Sequence, residues 1–472
     1  MKKRILIAAL SIIAVSMNAQ IGKRFPSERK IINDPVTGVE LEFLTSQEGM
    51  GDSKIYQTHN QWTSDGNWII FRSNRVKGEA MAVNEKTGDI VQVTEGGYTG
   101  MLNVARKSMK LYFMRNLLSK EQKKQIENMS KASAHNKGTF TRMEPLKFPV
   151  AIVEVDLEKV FRDSEAGKMK DISAYERVCG TTPIEMGAGG DMALDGDEQT
   201  VYFREGKEEA ARHLAKGVKI EKNFGPRHMG AGPSGIASMN LLTGEIKHVV
   251  SVPFQIGHIQ CNPWVPGEIV FCWETGGKAP QRTWTVKSDG TGLGPVYKEN
   301  EHDWVTHEAV ITKDEVAIAI MGHRPIIKTN DTISSSTQEN PGQEDGWGPS
   351  GTRQWPTGLG IVNLRTHEMI IAGQTPSGSG LWHVNGSGDG NWAVGDDFSR
   401  SIYLIDRHTR EMILLSTGHK PTAQDHPHPT FSRDGTKIEI QSAMLSKDNH
   451  SMNICVIKIP EYLLKRYQKT SD

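Results

Sequence analysis

From about residue 39 onward the chain runs in short stretches of alternating apolar and polar positions, each broken after a few residues by an Asp-Gly, Thr-Gly or similar turn. Alternation with a period of two predicts half-buried strands, and the turn dipeptides predict hairpins between them. Patterns of helical period are few.

The hairpins repeat. Three segments align without gaps on a histidine, an aspartate six positions later and a glycine seven positions later: HNQWTSDGNWIIF from His59, HVNGSGDGNWAVGD from His383 and HPTFSRDGTKIEI from His428. Looser copies start at His258 (HIQCNPWVPGEIVF) and His307 (HEAVITKDEVAIAI), and two more, near Met101 and Met192, keep the hairpin without the histidine. A second strand pair follows most of them, as in AMAVNEKTGDIVQVT and IYLIDRHTREMILLS. Seven such pairs predict an all-β fold, a seven-bladed β-propeller with four-stranded antiparallel blades. The segment 39–46, VELEFLTS, is expected to close the ring by lending a strand to the last blade.

In a propeller the innermost strand of each blade crosses the disc, so residues at its start ring one mouth of the central channel. His59, His258, His307, His383 and His428 are therefore expected on one rim. The connection from second to third strand opens on the same face. The three long insertions, about 115–147, 205–234 and 324–354, fall in that connection and are expected to wall in the histidines.

Ahead of the repeats, Lys2, Lys3 and Arg4 precede an apolar run from Ile5 to about Met17, the layout of a cleavable secretory leader over 1–20 rather than of a membrane span. Residues 21–472 are then expected as one propeller domain, periplasmic or secreted. Without those three cations, 53 basic side chains face 56 acidic ones, a charge near −3. That leaves no electrostatic footprint for nucleic acid or an anionic membrane, so an acidic substrate must be attracted by a local cluster. Cys179, Cys261, Cys272 and Cys455 lack zinc-like spacing and read as buried thiols, with a Cys261–Cys272 pair as the alternative.

The candidate chemistry concentrates in PTAQDHPHPTFSRDG, residues 421–435. In an extended strand alternate residues share a face, so Gln424, His426 and His428 are expected to point the same way, stiffened by Pro427 and Pro429. Neutral imidazoles with an amide oxygen suit a borderline ion such as manganese or zinc, and His307 heads a blade on the same rim. A lone histidine there has a plainer use in hydrogen-bonding a neighbouring turn, which suits His59 and His383, although both are also placed to meet a substrate.

These residues carry a resemblance. DPVTGVELEFLT, THNQWTSDGNWIIFRSNR, IVFCWE, VTHEAV, HVNGSGDGNWAVGD and above all HPHPTFSRDG resemble the pectin-degrading oligogalacturonate lyases, over most of the chain apart from the three insertions. The resemblance implies a seven-bladed propeller that cleaves short uronic-acid oligomers by β-elimination, with manganese held by three histidines and a glutamine. It implies metal ligands His307, His426 and His428, with Gln424 one position from where the family places its glutamine. It implies His258, in GHIQ, as the base, and an arginine on the substrate carboxylate: Arg227 first, then Arg282 and Arg324. The chain departs from the family's CHE element, reading Cys272-Trp273-Glu274.

The competing reading is a non-catalytic propeller that binds a glycan or a protein in the periplasm. A serine peptidase is excluded, since no G-x-S-x-G elbow occurs and no length remains for a hydrolase domain.

Overall fold

The computed structural model describes residues 19–122, 124–125, 148–222, 229–275, 279–300, 303–323, 358–374 and 380–467. The expected leader, residues 1–20, lies outside these residues apart from its last two. The strands form seven antiparallel sheets, one per blade, each ordered outward from the channel. The repeat therefore reads out as expected. The turn that ends each clear copy is built alike: Thr63, Ser387 and Ser432 donate their hydroxyls to Asp65, Asp389 and Asp434 at 2.5, 2.5 and 2.6 Å. The glycines that follow sit at φ +69°, +78° and +69°, where a β-carbon would be strained.

The second strands are largely buried, Glu268–Trp273 at every position. Each is covered on both faces by neighbouring blades, so it reads as a continuous apolar run instead of alternating. The core is accordingly divided among the seven blade junctions. Ile70 and Phe113 share a cluster between blades one and two, Phe271 and Ile236 one between three and four, and Trp392 and Ile440 one between six and seven. Polar clamps join the inner strands. The Asn103 amide bridges the Met192 carbonyl and the Leu194 N–H, and Gln260 spans Glu308 and Val310 in the same way.

The ring closes as the alternation predicted. Glu40–Phe43 pairs with Asn453–Lys458 of the last blade, Leu41 opposite Ile457 and Phe43 opposite Cys455. Two strands were not foreseen: Lys30–Asn33 adds a fifth strand outside Glu40–Phe43, and Arg24–Phe25 a fifth to blade one. All four cysteines are buried and unpaired. The insertions do lie between second and third strands, at residues 117–149, 206–230 and 324–357. The last lies wholly outside the described residues, and the others partly.

Candidate metal and catalytic centre

The inner strands gather imidazoles at one mouth of the channel, and two of them do so by breaking register. In blade four, Ile256–Cys261 shifts by one residue between Gly257 and Gln260, and His258 takes φ +51° there. In blade five, Asp303–Thr312 shifts between Thr306 and Glu308, leaving His307 without a partner across the strand. Such bulges re-aim side chains. His383 opens His383–Gly386 in blade six, and His426 and His428 lie just before Thr430–Phe431 of blade seven.

His383 is the hub of this group, its ring centre 4.2 Å from that of His307, 5.2 Å from His426 and 3.7 Å from His428. Trp382 walls the cluster, 4.6 Å from His307 and 5.9 Å from His426. Burial, reinforced by the neighbouring His383, holds His307 well below the ordinary histidine range. Burial and His428 push His383 down to about 3. Both rings are thus neutral and retain a lone pair.

Hydrogen bonds fix where those lone pairs point. Asp396 accepts from His426 Nδ1 at 3.0 Å and faces His383 Nδ1 at 3.2 Å. Burial raises the Asp396 pKa, but His383 and His426 outweigh it and keep the group a carboxylate. A carboxylate only accepts, so both Nδ1 atoms carry hydrogen, and in a neutral ring Nε2 is then the atom left to bind a metal. His428 Nδ1 contacts Gln57 Oε1 at 2.9 Å. Asp425 lies 3.1 Å from the buried His428 Nε2. His307 Nδ1 is buried and has no hydrogen-bond partner. Orphaned, buried imidazole nitrogens are the mark of ligand positions, so the residues present fit a divalent ion. Among the described residues, His383, Asp396 and His426 place potential ligand atoms within 4.8 Å of one another.

Gln424 is not in this group. Residues 421–425 form a turn and bends, the inner strand begins only at Thr430, and His428 sits at φ +51°. The segment is not extended, so the expected alternation fails: the Gln424 side chain is exposed, with its backbone N–H on the His450 carbonyl. The glutamine against the imidazoles is Gln57, from blade one.

His258 stands beside the cluster, its ring 6.1 Å from His307. Its Nδ1 is 2.8 Å from Glu308, which also accepts from Arg282 Nε at 2.9 Å. Arg282 also approaches His258 Nδ1 at 3.3 Å, but the shorter contact to the carboxylate takes that hydrogen. On the other side Nε2 is 3.3 Å from Glu274. Gly257 makes room for this, since a β-carbon there would lie 2.8 Å from Glu274 Cβ. Burial disfavours the imidazolium, but Glu308 and Glu274 together outweigh it and raise the pKa. Burial raises the Glu308 pKa in turn, yet Arg282 and His258 bring it down to about 2.

Arg282 is buried, with its Nε committed to Glu308, so it positions His258 instead of offering an open clamp. Arg227 and Arg324 lie outside the described residues. His59 is a structural residue: it is buried, with Nε2 2.9 Å from the Met192 carbonyl and Nδ1 2.7 Å from Thr58. Three central residues escaped the sequence reading: Gln57, Asp396 and Tyr56. The Tyr56 ring lies among the imidazoles, 4.8 Å from His258 and 5.1 Å from His428. Burial and then Glu308 raise its pKa well above the ordinary phenol value, so it stays protonated. It stands three residues before the repeat histidine His59, where no motif marked it.

Comparison with family models and with curated protein sequences finds no match. Among solved structures, an oligogalacturonate lyase in complex with manganese superposes with a TM-score of 0.65 at 16% identity, covering 94% of this chain and 100% of that one. An oligogalacturonate lyase from Vibrio parahaemolyticus gives 0.64, again at 16% identity, 94% and 100%. The likeness extends over the whole propeller.

Proposed function

We propose that this protein is a metal-dependent lyase that cleaves uronic-acid oligosaccharides by β-elimination, leaving a 4,5-unsaturated sugar. The observation that carries this reading is the pairing of two sites on one channel mouth. Four clustered imidazoles, His383 and His428 buried and His307 and His426 half-buried, adjoin a histidine set between carboxylates (His258). Likeness of fold to the manganese-bound lyase supports the same reading.

His307, His426 and His428, with His383 beside them, would hold a divalent ion such as manganese, which would serve as a Lewis acid toward the substrate carboxylate. The chain's own residues do the rest. His258, neutral once Nε2 has lost its proton, takes the proton from C5 of the uronate. The C–H electron pair becomes the C4–C5 double bond as the C4–O4 bond breaks. Tyr56 donates its phenolic proton to the departing oxygen. Glu308 fixes the His258 tautomer from Nδ1 and Arg282 neutralises Glu308, so the ring is oriented without an added net charge. A cleavable leader over residues 1–20 would export the enzyme, and a charge near −3 gives no attraction to nucleic acid or an anionic membrane.

Product analysis after reaction of the metal-loaded protein with digalacturonate in heavy-oxygen water tests the reaction type. Elimination breaks the bond without water, so the unsaturated product carries no label; a labelled, saturated product would show hydrolysis and overturn the proposal.

A further inference from the structure

Beyond the histidine centre the channel opens into a cavity of about 350 Å³, lined by the first strands and first turns of all seven blades. It is large enough for a ligand of one or two sugar rings. Most of its polar wall is already committed. Asn103 and Gln260 are the blade clamps described above, and Asn385 donates to the Gln57 carbonyl and accepts from the Phe431 N–H. Both carboxylates are taken: Asp195 by the N–H groups of Gly196 and Gly267, Glu198 by the Lys107 N–H and the Ser108 hydroxyl. Lys107 Nζ is held by the Gly196 carbonyl.

What is left over is positive and aromatic. Arg433 donates one N–H to the Arg106 carbonyl at 3.0 Å, which brings the two arginines side by side. Arg106 makes no side-chain hydrogen bond and no ion pair among the described residues. Its guanidinium stands 5.7 Å from the centre of the Trp264 ring, and Trp264 is 42% exposed, an unusual exposure for so large an apolar plate. Burial, then repulsion from Arg433, brings the Arg106 pKa down to about 10 against the pull of Glu198.

We propose that this second mouth binds a uronate residue away from the catalytic centre, with Arg106 and Arg433 on its carboxylate and Trp264 under its ring. Guanidinium forks match a carboxylate in shape as well as charge, and an open indole receives the C–H face of a sugar. Affinity for a carboxylated ring follows from this geometry alone; the choice of uronate rests on the proposed lyase function. A non-catalytic site of this kind would hold an oligosaccharide chain, or its product, on the face opposite the reaction.

The test is calorimetric titration of the chelator-treated, full-length protein with galacturonate, galactose and inorganic phosphate. The wild type is compared with Arg106→Met, with Arg433→Met and with Trp264→Ala, all of which are expected to keep wild-type metal content. Galacturonate is expected to bind, galactose and phosphate at least tenfold more weakly, and each variant to lose about tenfold in galacturonate affinity. Equal binding of phosphate would overturn the sugar part, equal binding of galactose the carboxylate part, and undiminished binding by the variants the location. Arg433 and Trp264 are exposed, so their variants report even if Arg106→Met fails to fold. Binding that persists while turnover is absent would count against the lyase reading and in favour of this site.

Discussion

Asp396 accepts a hydrogen bond from His426 Nδ1 at 3.0 Å, so a carboxylate of blade six orients an imidazole of blade seven. The same carboxylate stands opposite His383 in its own sheet. One buried group therefore sets the tautomer of two candidate ligands. Asp396→Asn keeps the shape and removes the charge, and manganese affinity is expected to fall about 10- to 100-fold. Titration of metal-free protein, with circular dichroism to check the fold, measures it; unchanged affinity would take Asp396 out of this role.

The pH dependence of turnover follows from His258. The base works deprotonated, and Glu308 and Glu274 raise its pKa above the ordinary 6.5. Activity is therefore expected to be low in acid and to rise through a midpoint above that value. Glu274→Gln removes one of the carboxylates that favour the imidazolium, so the midpoint moves to lower pH. A pH profile of kcat/KM for both proteins decides it, and a midpoint that stays put would separate Glu274 from the base.

Tyr56 is the protonated hydroxyl amid the imidazoles, so Tyr56→Phe removes the proton donor while leaving the ring in place. Turnover is expected to fall about a hundredfold or more with metal content unchanged. A variant of full activity would return the donor's role to water.

His419 tests stability apart from the centre. It is buried between Ser416 and Ser442, 2.8 Å from each hydroxyl, and burial lowers its pKa to about 4. The folded state excludes a proton that the unfolded chain takes up below 6.5. Its contribution is thus complete above that pH and is lost as pH falls from 6.5 to about 4, by roughly 3 kcal/mol in all. Urea midpoints at pH 7 and 4.5 should fall less in His419→Gln than in the wild type; an identical fall would remove His419 as the source.

The fold was legible because its repeat is local: a hydroxyl, an aspartate and a left-handed glycine recur at fixed spacing, and each copy specifies one hairpin. The rim followed from topology in part: of the five histidines expected there, His258, His307, His383 and His428 come together, joined by His426, whereas His59 is tied to the Met192 carbonyl. Gln424 misled, because alternation says which residues share a face only where the chain is extended, and residues 421–425 turn instead. Tyr56, Gln57 and Asp396 went unseen because they reach the centre from other blades, through contacts spanning up to 371 positions in the sequence. Arg282 was read as open because periodicity carries no sign that Glu308 lies beneath it.

The most direct measurement is ultraviolet absorbance of the unsaturated product, with purified protein, digalacturonate and manganese, before and after chelation. Absorbance that grows with manganese, stops with chelator and is lost in His428→Ala together with bound metal is the expected result. No absorbance with digalacturonate or any longer uronate oligomer, from protein shown to hold its metal, would contradict the assignment of a lyase.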